Sequence, residues 1–212
     1  MFAINHAATA LIIKKEIADV PIIWPLISVQ FMEMVWVSLN LLGVEQTTTE
    51  KEVRYVGDVH LSYMPFSHSV VTMLGVALLA WLVISNGLGL TAIGLAVGIG
   101  IVSHLVLDLI THSDDIVLAP FFKSPKFGLG LYAKYPMTAF ILEIGYGIAC
   151  WWIYKGGWAL LATIIICNLA NLSMFSRAVP GIERHMANRP SLIAAVILAQ
   201  ILVTLTLVGI FS

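Results

Sequence analysis

Long apolar runs separated by short polar segments dominate the pattern of this chain. A helix needs about 20 mostly apolar residues to cross the hydrocarbon core of a bilayer. Six runs come close to that length or exceed it: residues 20–43, 66–86, 88–112, 137–154, 158–176 and 190–211. The pattern therefore predicts an all-α, polytopic membrane helix bundle with about six transmembrane helices.

A shorter apolar stretch, MFAINHAATALIIKK, precedes these runs and ends at Lys14 and Lys15. Its length of about 13 apolar residues is short for a membrane span. We expect a short N-terminal helix that packs among the other helices. A secretory signal would carry a basic residue ahead of its apolar stretch, and none is found here, so we expect this segment to be retained.

Two polar connections interrupt the apolar runs. Residues 44–65 alternate Val and Tyr with polar residues, which favours a short hairpin or an extended excursion. Residues 113–136 are rich in Pro and Gly and cannot form one helix. Neither connection is long enough to suggest a separate soluble domain, so we expect residues 1–212 to form one integral membrane domain.

Composition supports the membrane assignment. The chain is 59% hydrophobic and only 11% charged, with a mean hydropathy of +0.95, whereas soluble domains have about 25% charged residues. The formal net charge is −1, so no basic field is available to attract nucleic acid. Both cysteines, Cys150 and Cys167, lie in apolar runs and are expected to be packing residues.

The distribution of Lys and Arg predicts the orientation in the membrane. One face would carry three basic residues: Lys14, Lys15 and Lys155. The other face would carry eight: Lys51, Arg54, Lys123, Lys126, Lys134, Arg177, Arg184 and Arg189. By the positive-inside rule, the loops with eight basic residues face the cytoplasm.

A polar stripe runs along the third apolar run. His104, Asp108 and His112 follow one another at intervals of four in VSHLVLDLITH, and residues four apart share one face of an α-helix. An ionisable group deep in a membrane costs about 2.5–3.5 kcal/mol on insertion scales, so such residues are usually paired and functional. We expect His112 at the interface with water, where a histidine avoids this cost. Of the three residues, it has the least need of a functional explanation.

Further polar residues in other apolar segments could join this stripe. The histidines are His6 in the N-terminal helix and His68, which we expect in the first turn of the second span between Ser67 and Ser69. The carboxylates are Glu33, one turn after Gln30 in the first span, and Glu143 in the fourth span.

Each of these residues also has a purely structural interpretation. His6 could be a hydrogen-bonded core histidine, Gln30 an interhelical donor, and Glu143 a partner for a buried tyrosine or backbone group. The two serines could simply cap a helix. Only convergence of the whole set in one place would favour a functional site.

The expected depths of these residues support convergence. If His68 and His112 emerge at the same membrane face, Asp108 lies about 6 Å, His104 about 12 Å and Glu33 about 15 Å below that face. Imidazole and carboxylate groups are suitable ligands for a divalent cation, most of all Zn²⁺, and a bound ion would activate water. The candidate metal ligands are His6, Glu33, His68, His104 and Asp108.

The same residues carry a resemblance to a known family. The series of His6, Glu33, Ser67-His68-Ser69 and Ser103-His104 through Asp108 resembles the bacterial inner-membrane family of metal-dependent hydrolases, the LexA-binding inner-membrane-associated group and its relatives. These motifs are also similar to those of zinc-dependent phospholipase C. The resemblance covers roughly residues 1–143 and includes the Gly-Leu-Gly-Leu stretch at 128–131.

One departure from the family pattern concerns the first span. Many members of the wider family have an Asp-x-Asp-His cluster after the first histidine, whereas this chain has only Gln30 and Glu33 there. A full multinuclear metal site would therefore lack some of its ligands.

Three classes of function follow from these observations. The first is a hydrolase of the bacterial inner membrane that acts on an ester or phosphodiester of a small-molecule, lipid or lipid-linked substrate. In it, Glu33 and His112 are the candidate catalytic residues, and Gln30, Ser67, Ser69, Ser103 and Glu143 are supporting polar groups. The second is a proton-coupled transporter or channel built on intramembrane His, Asp and Glu. The third is a non-catalytic membrane scaffold. The oligomeric state stays open.

Overall fold

The protein is mostly helical in a computed structural model that describes residues 1–121 and 123–212. The helices are α1 (Ala3–Glu16), α2 (Ile23–Leu41), α3 (Val70–Leu82), α4 (Thr91–Thr111), α5 (Leu131–Lys134), α6 (Pro136–Tyr154), α7 (Trp158–Leu169), α8 (Leu172–Phe175) and α9 (Pro190–Phe211). A π-helical turn, Val83–Gly87, continues α3. The predicted helical membrane architecture is confirmed.

Within the described residues, four helical segments are long and apolar enough to cross a membrane: Val70–Gly87, Thr91–Thr111, Pro136–Tyr154 and Pro190–Phe211. These four correspond to the second, third, fourth and sixth predicted spans. The predicted total of six is not confirmed. Helix α2 falls outside this group and carries the polar residues Gln30, Glu33 and Asn40 along its length.

The fifth predicted span, residues 158–176, is shorter than expected. Helix α7 ends at Leu169, and the four-residue helix α8 begins at Leu172. The Asn171 amide lies at the break, where it donates to the Cys167 carbonyl oxygen at 2.9 Å and accepts from Gln200 at 2.9 Å. Asparagine side chains that bond the backbone in this way compete with helical hydrogen bonding, which explains the interruption.

Helix α1 is the short N-terminal helix that the sequence predicts, and it occupies the centre of the fold. It contacts α2, α4, α6, α7 and α9. Its residues from Ala3 to Leu11 are all buried. A helix that is buried on all sides needs no polar face, which explains how such a short apolar helix is accommodated.

The two polar connections form small antiparallel ladders. Strand β1 (Gln46–Thr49) pairs with β2 (Val59–Tyr63), which confirms the hairpin expected in residues 44–65. In the second connection, β3 (Ile116–Val117) pairs with β4 (Lys126–Phe127) and α5 follows. Residue 122 of this connection lies outside the described residues. As expected, residues 113–136 do not form one helix.

Helices α2 and α4 approach each other very closely at Gly100. A Cβ atom added to Gly100 would lie 1.9 Å from Ser28 Oγ and 2.7 Å from Ser28 Cβ. Small residues at a helix contact allow this approach in membrane proteins. The contact fixes the distance between the helices that carry Glu33 and His104.

We predict that Gly100→Ala destabilises the protein by about 1–3 kcal/mol, because the added methyl group forces α2 and α4 apart. Gly75→Ala is the matched control, since Gly75 lies in α3 and nothing lies within 4 Å of a Cβ added there. Thermal unfolding in detergent micelles measures both effects. Equal stability of the two variants would contradict the close α2–α4 contact.

Candidate metal centre

Four titratable side chains converge between α2, α4 and the turn before α3. Glu33, His68, His104 and Asp108 each direct one donor atom to a common point, and these four atoms all lie within 4.8 Å of one another. The two histidines and Asp108 are buried. Glu33 is the most exposed of the four, with 20% of its side chain accessible.

The distances between donor atoms are short and similar. Asp108 Oδ2 lies 3.0 Å from His104 Nε2 and 3.5 Å from His68 Nε2. Glu33 Oε2 lies 3.6 Å from His68 Nε2 and 3.7 Å from His104 Nε2. Donors at about 2.0–2.2 Å from a tetrahedral cation are about 3.3–3.6 Å apart. The donor set could therefore hold a metal ion.

Three of the four donor atoms have no other use within the described structure. His68 Nε2, His104 Nε2 and Asp108 Oδ2 are shielded from solvent and, apart from the ion-pair contacts within the donor set, have no hydrogen-bond partner among the described residues. Leaving a buried polar group unpaired costs about 1–3 kcal/mol. Three such atoms directed to one point are readily explained if a cation satisfies them.

Hydrogen bonds at the opposite ring nitrogens orient both histidines. His104 Nδ1 donates to the Val29 carbonyl oxygen at 2.8 Å, which leaves Nε2 free to face the donor set. His68 Nδ1 lies 2.8 Å from Ser67 Oγ. Such outer contacts fix the tautomer of metal-binding histidines.

The charge around His68 favours a cation. Burial lowers the pKa of His68, but the neighbouring carboxylates of Asp108 and Glu33 raise it, and the resulting pKa is about 10. The surroundings thus stabilise positive charge at the point where the four donors meet.

The other oxygen of Asp108 faces a second pair of histidines. His6 Nε2 lies 3.3 Å and His112 Nε2 3.8 Å from Asp108 Oδ1, and the Met1 nitrogen donates to the same oxygen at 2.6 Å. His6 also stacks on His104 with ring centroids 4.1 Å apart. His6 and His112 therefore adjoin the four-donor group without belonging to it. The ligand role of His6 and the catalytic role of His112 stay predictions from the sequence.

Two local positions differ from the sequence predictions. His68 precedes α3 rather than occupying its first turn, because Ser69 is the N-cap and its side chain accepts from the Thr72 amide at 3.4 Å. His112 follows the last residue of α4 and has an extended backbone.

The Gly-Leu-Gly-Leu stretch closes the end of α4 beside His112. The Leu129 amide donates to the Leu109 carbonyl oxygen at 2.8 Å, and the Gly130 amide donates to the His112 carbonyl oxygen at 2.6 Å. A Cβ atom at Gly128 would lie 1.8 Å from the Ser113 carbonyl oxygen. Glycine at 128 thus permits the loop to satisfy carbonyl groups at the helix end.

The predicted supporting residues have different positions. Gln30 joins α2 to α1 by donating to the Ala3 carbonyl oxygen at 2.5 Å. Ser103 donates to the Gly100 carbonyl oxygen of its own helix at 2.7 Å and takes no part in the donor set. Of the two serines, Ser67 contacts His68, whereas Ser69 caps α3.

Glu143 belongs to a separate buried network. Asn5 Nδ2 donates to Glu143 Oε2 at 2.5 Å and to Asn168 Oδ1 at 2.9 Å. The Tyr132 hydroxyl donates to Glu143 Oε1. Burial and the Glu143 carboxylate raise the pKa of Tyr132 well above its ordinary value, so its hydroxyl keeps its proton. This network ties α1, α5, α6 and α7 together.

Sequence reasoning missed Glu45. Its carboxylate is 1% exposed and accepts the Ser67 hydroxyl and the Phe66 and Ser67 amides. Glu45 lies among other acidic residues of a polar connection in the sequence, and no local signal distinguishes it from them.

A cavity of about 500 Å³ opens beside the donor set. Its lining includes Glu33 and His68 of the donor set and the adjoining His6 and His112. Trp36 and one side of α9, with Ile193, Val196 and Ile197, provide an apolar wall. The volume is in the range of small-molecule sites.

Comparison with known families assigns the chain to a family. The model of the YdjM inner membrane protein family matches residues 46–180, which is more than half of the chain. The chain belongs to the YdjM inner membrane protein family. With its apolar helices, this membership makes it an integral protein of the inner membrane.

The match to the YdjM family covers only part of the donor set. It includes His68, His104, Asp108 and His112, whereas His6 and Glu33 precede it. The family match covers residues 46–180, whereas the resemblance described from the sequence covers roughly residues 1–143. No curated protein and no solved structure matches the chain significantly.

We predict that Tyr132→Phe lowers stability by about 1–3 kcal/mol, because it leaves a buried carboxylate oxygen of Glu143 without its donor. Tyr135→Phe is the control, since Tyr135 is largely exposed. Unfolding in detergent measures stability, and elemental analysis measures metal content. A change in metal content without a change in stability would contradict the separation of this network from the metal centre.

Proposed function

We propose that this YdjM-family protein is a membrane-embedded, metal-dependent hydrolase of a lipid or lipid-linked ester or phosphodiester. The observation that carries the proposal is the set of four convergent donor atoms, three of them buried and otherwise unpaired. A scaffold would have no need to direct unpaired donors to one point. Unpaired buried groups are costly, and such strained arrangements are found mainly at functional sites.

Zn²⁺ is the ion that suits this donor set best. Zn²⁺ accepts both imidazole nitrogen and carboxylate oxygen, and four of the six donor separations, 3.0–3.7 Å, are close to those of a tetrahedral site. No cysteine belongs to the group, whereas closed structural zinc sites commonly use cysteines. The ion would be held by Glu33, His68, His104 and Asp108.

The residues facing the cavity would carry the proton transfers. When bound, Zn²⁺ would supply a Lewis acid, and because catalytic zinc sites can expand to five ligands, it could still lower the pKa of a water towards 7 beside its four protein ligands. Glu33 lines the cavity, and its second oxygen is free to accept a proton from water. His112 also lines the cavity, and its Nε2 lies 3.8 Å from Asp108 and its Nδ1 3.4 Å from Asp115. These two carboxylates would stabilise an imidazolium, which can give a proton to the leaving group.

The shape of the cavity supports an amphiphilic substrate. Its lining combines Glu33 and His68 of the donor set with apolar side chains of α9, among them Val196 and Ile197. An ester or phosphodiester group would bind beside the donor set, while an acyl or isoprenoid chain would lie along Val196 and Ile197. A membrane-embedded site also receives such substrates directly from the bilayer.

We predict that the full-length protein, purified without a histidine tag after expression with added zinc, manganese or iron, contains about one metal ion per chain. Asp108→Asn keeps the side-chain shape but removes the anionic ligand, so metal content and hydrolytic activity fall together. Elemental analysis measures the metal, and mass spectrometry of a panel of lipid esters and phosphodiesters measures activity.

Asp115→Asn is the control for metal content, because Asp115 contacts His112 and none of the four donors. This variant retains its metal. Wild-type protein without stoichiometric metal contradicts the hydrolase proposal. A pH-dependent flux without metal would instead support the transporter, and loss of stability alone in Asp108→Asn would support the scaffold.

We further predict that Ile197→Trp reduces hydrolysis of long-chain substrates at least tenfold, because the indole fills the apolar wall. Metal content and hydrolysis of short-chain analogues are unchanged. Leu202→Trp is the control on the same helix, since Leu202 is exposed and lies outside the cavity. Equal effects of Ile197→Trp on long-chain and short-chain substrates would contradict the assignment of the α9 wall.

A further inference from the structure

Glu45 is a buried carboxylate with no part in the proposed chemistry. It lies immediately before β1 and is 1% exposed. Its Oε1 accepts the amides of Phe66 at 2.8 Å and Ser67 at 2.9 Å, and its Oε2 accepts the Ser67 hydroxyl at 2.5 Å. The carboxylate is therefore fully hydrogen-bonded to the turn that carries His68.

The direction of these hydrogen bonds determines where His68 holds its proton. A hydroxyl has one proton, and Ser67 donates it to Glu45, because an ionised carboxylate can only accept. In its second contact, at 2.8 Å, Ser67 Oγ must therefore accept from His68 Nδ1. With Nδ1 engaged as the donor to Ser67, the ring presents Nε2 to the donor set.

We propose that Glu45 is a positioning residue for the metal centre, which acts through Ser67 to present His68 Nε2 as a ligand. The inference rests on the proposed metal site and adds a residue that supports the ligand His68 from outside the donor set. His104 is oriented in the same sense by the backbone carbonyl oxygen of Val29. His68 lies in a turn before α3, where the side chains of Ser67 and Glu45 take the place of that carbonyl oxygen. We call this pair of hydrogen bonds the relay.

Glu45→Gln tests the direction of the relay with almost no change in size. The amide oxygen accepts from the two backbone amides as before, so its NH₂ group faces Ser67 and can only donate. The Ser67 hydroxyl then donates to His68 Nδ1, which places the remaining proton on Nε2. We expect the Kd for Zn²⁺, measured by chelator competition on the full-length protein, to rise about 10–100-fold.

The visible spectrum of the Co²⁺-loaded protein gives a second readout. Four-coordinate Co²⁺ absorbs strongly, and loss of His68 as a ligand weakens and shifts this absorption. A residue that only stabilises the fold would change the melting temperature and leave the spectrum of the loaded protein intact. We expect a wild-type spectrum typical of four ligands and a weaker, shifted spectrum for Glu45→Gln.

Ser67→Ala breaks the relay at its middle and keeps the carboxylate, so it provides an independent variant if Glu45→Gln fails to fold. We expect the same loss of Zn²⁺ affinity. Ser69→Ala is the matched serine control, because Ser69 is equally buried beside His68 but caps α3. Its Kd stays within about twofold of the wild-type value.

Glu183→Gln is the matched carboxylate control. Glu183 is also buried and accepts a serine hydroxyl, that of Ser173, at 2.8 Å and the Gly181 amide at 2.9 Å, but it contacts no metal-centre residue. Wild-type affinity and spectrum in both Glu45→Gln and Ser67→Ala would overturn the relay alone. Absence of Zn²⁺ binding in the wild type would overturn the proposed function and the relay together.

Discussion

The charge of Asp108 is the constraint on which this fold depends. A carboxylate that is 1% exposed inside an apolar helix bundle loses several kcal/mol of hydration, which partners must offset. Its two oxygens face different partners: His68 and His104 on one side, His6 and His112 on the other. These partners come from α1, α4 and the turns beside α3 and α4, so satisfying this one charge requires α1, α4 and the start of α3 to come together.

The need to bring these partners to Asp108 explains why small residues and a short helix lie around the donor set. Gly100 lets α2 approach α4 closely enough for Glu33 and His104 to lie 3.7 Å apart at their nearest donor atoms. The short helix α1 brings His6 and Asn5 into the middle of the fold, where Asn5 begins the Glu143 network. The proposed metal centre and the helix packing thus depend on the same contacts.

The sequence predicted the helical class because apolar runs record membrane burial directly. It placed His104 and Asp108 on one helical face because their spacing alone determines it. It could not locate the end of α7, which depends on the tertiary contact of Asn171 with Gln200. Glu45 was equally hidden, because its role depends on a turn that folds back onto it from residues 66 and 67.

X-ray absorption at the zinc edge tests the central claim most directly, because it reports the ligands of the ion itself. We expect a first shell of four light atoms at about 2.0–2.2 Å, with outer-shell scattering from two imidazole rings. His68→Ala should remove one of the two rings. A shell of oxygen atoms without imidazole scattering, or no protein-bound zinc, would contradict a centre built on Glu33, His68, His104 and Asp108.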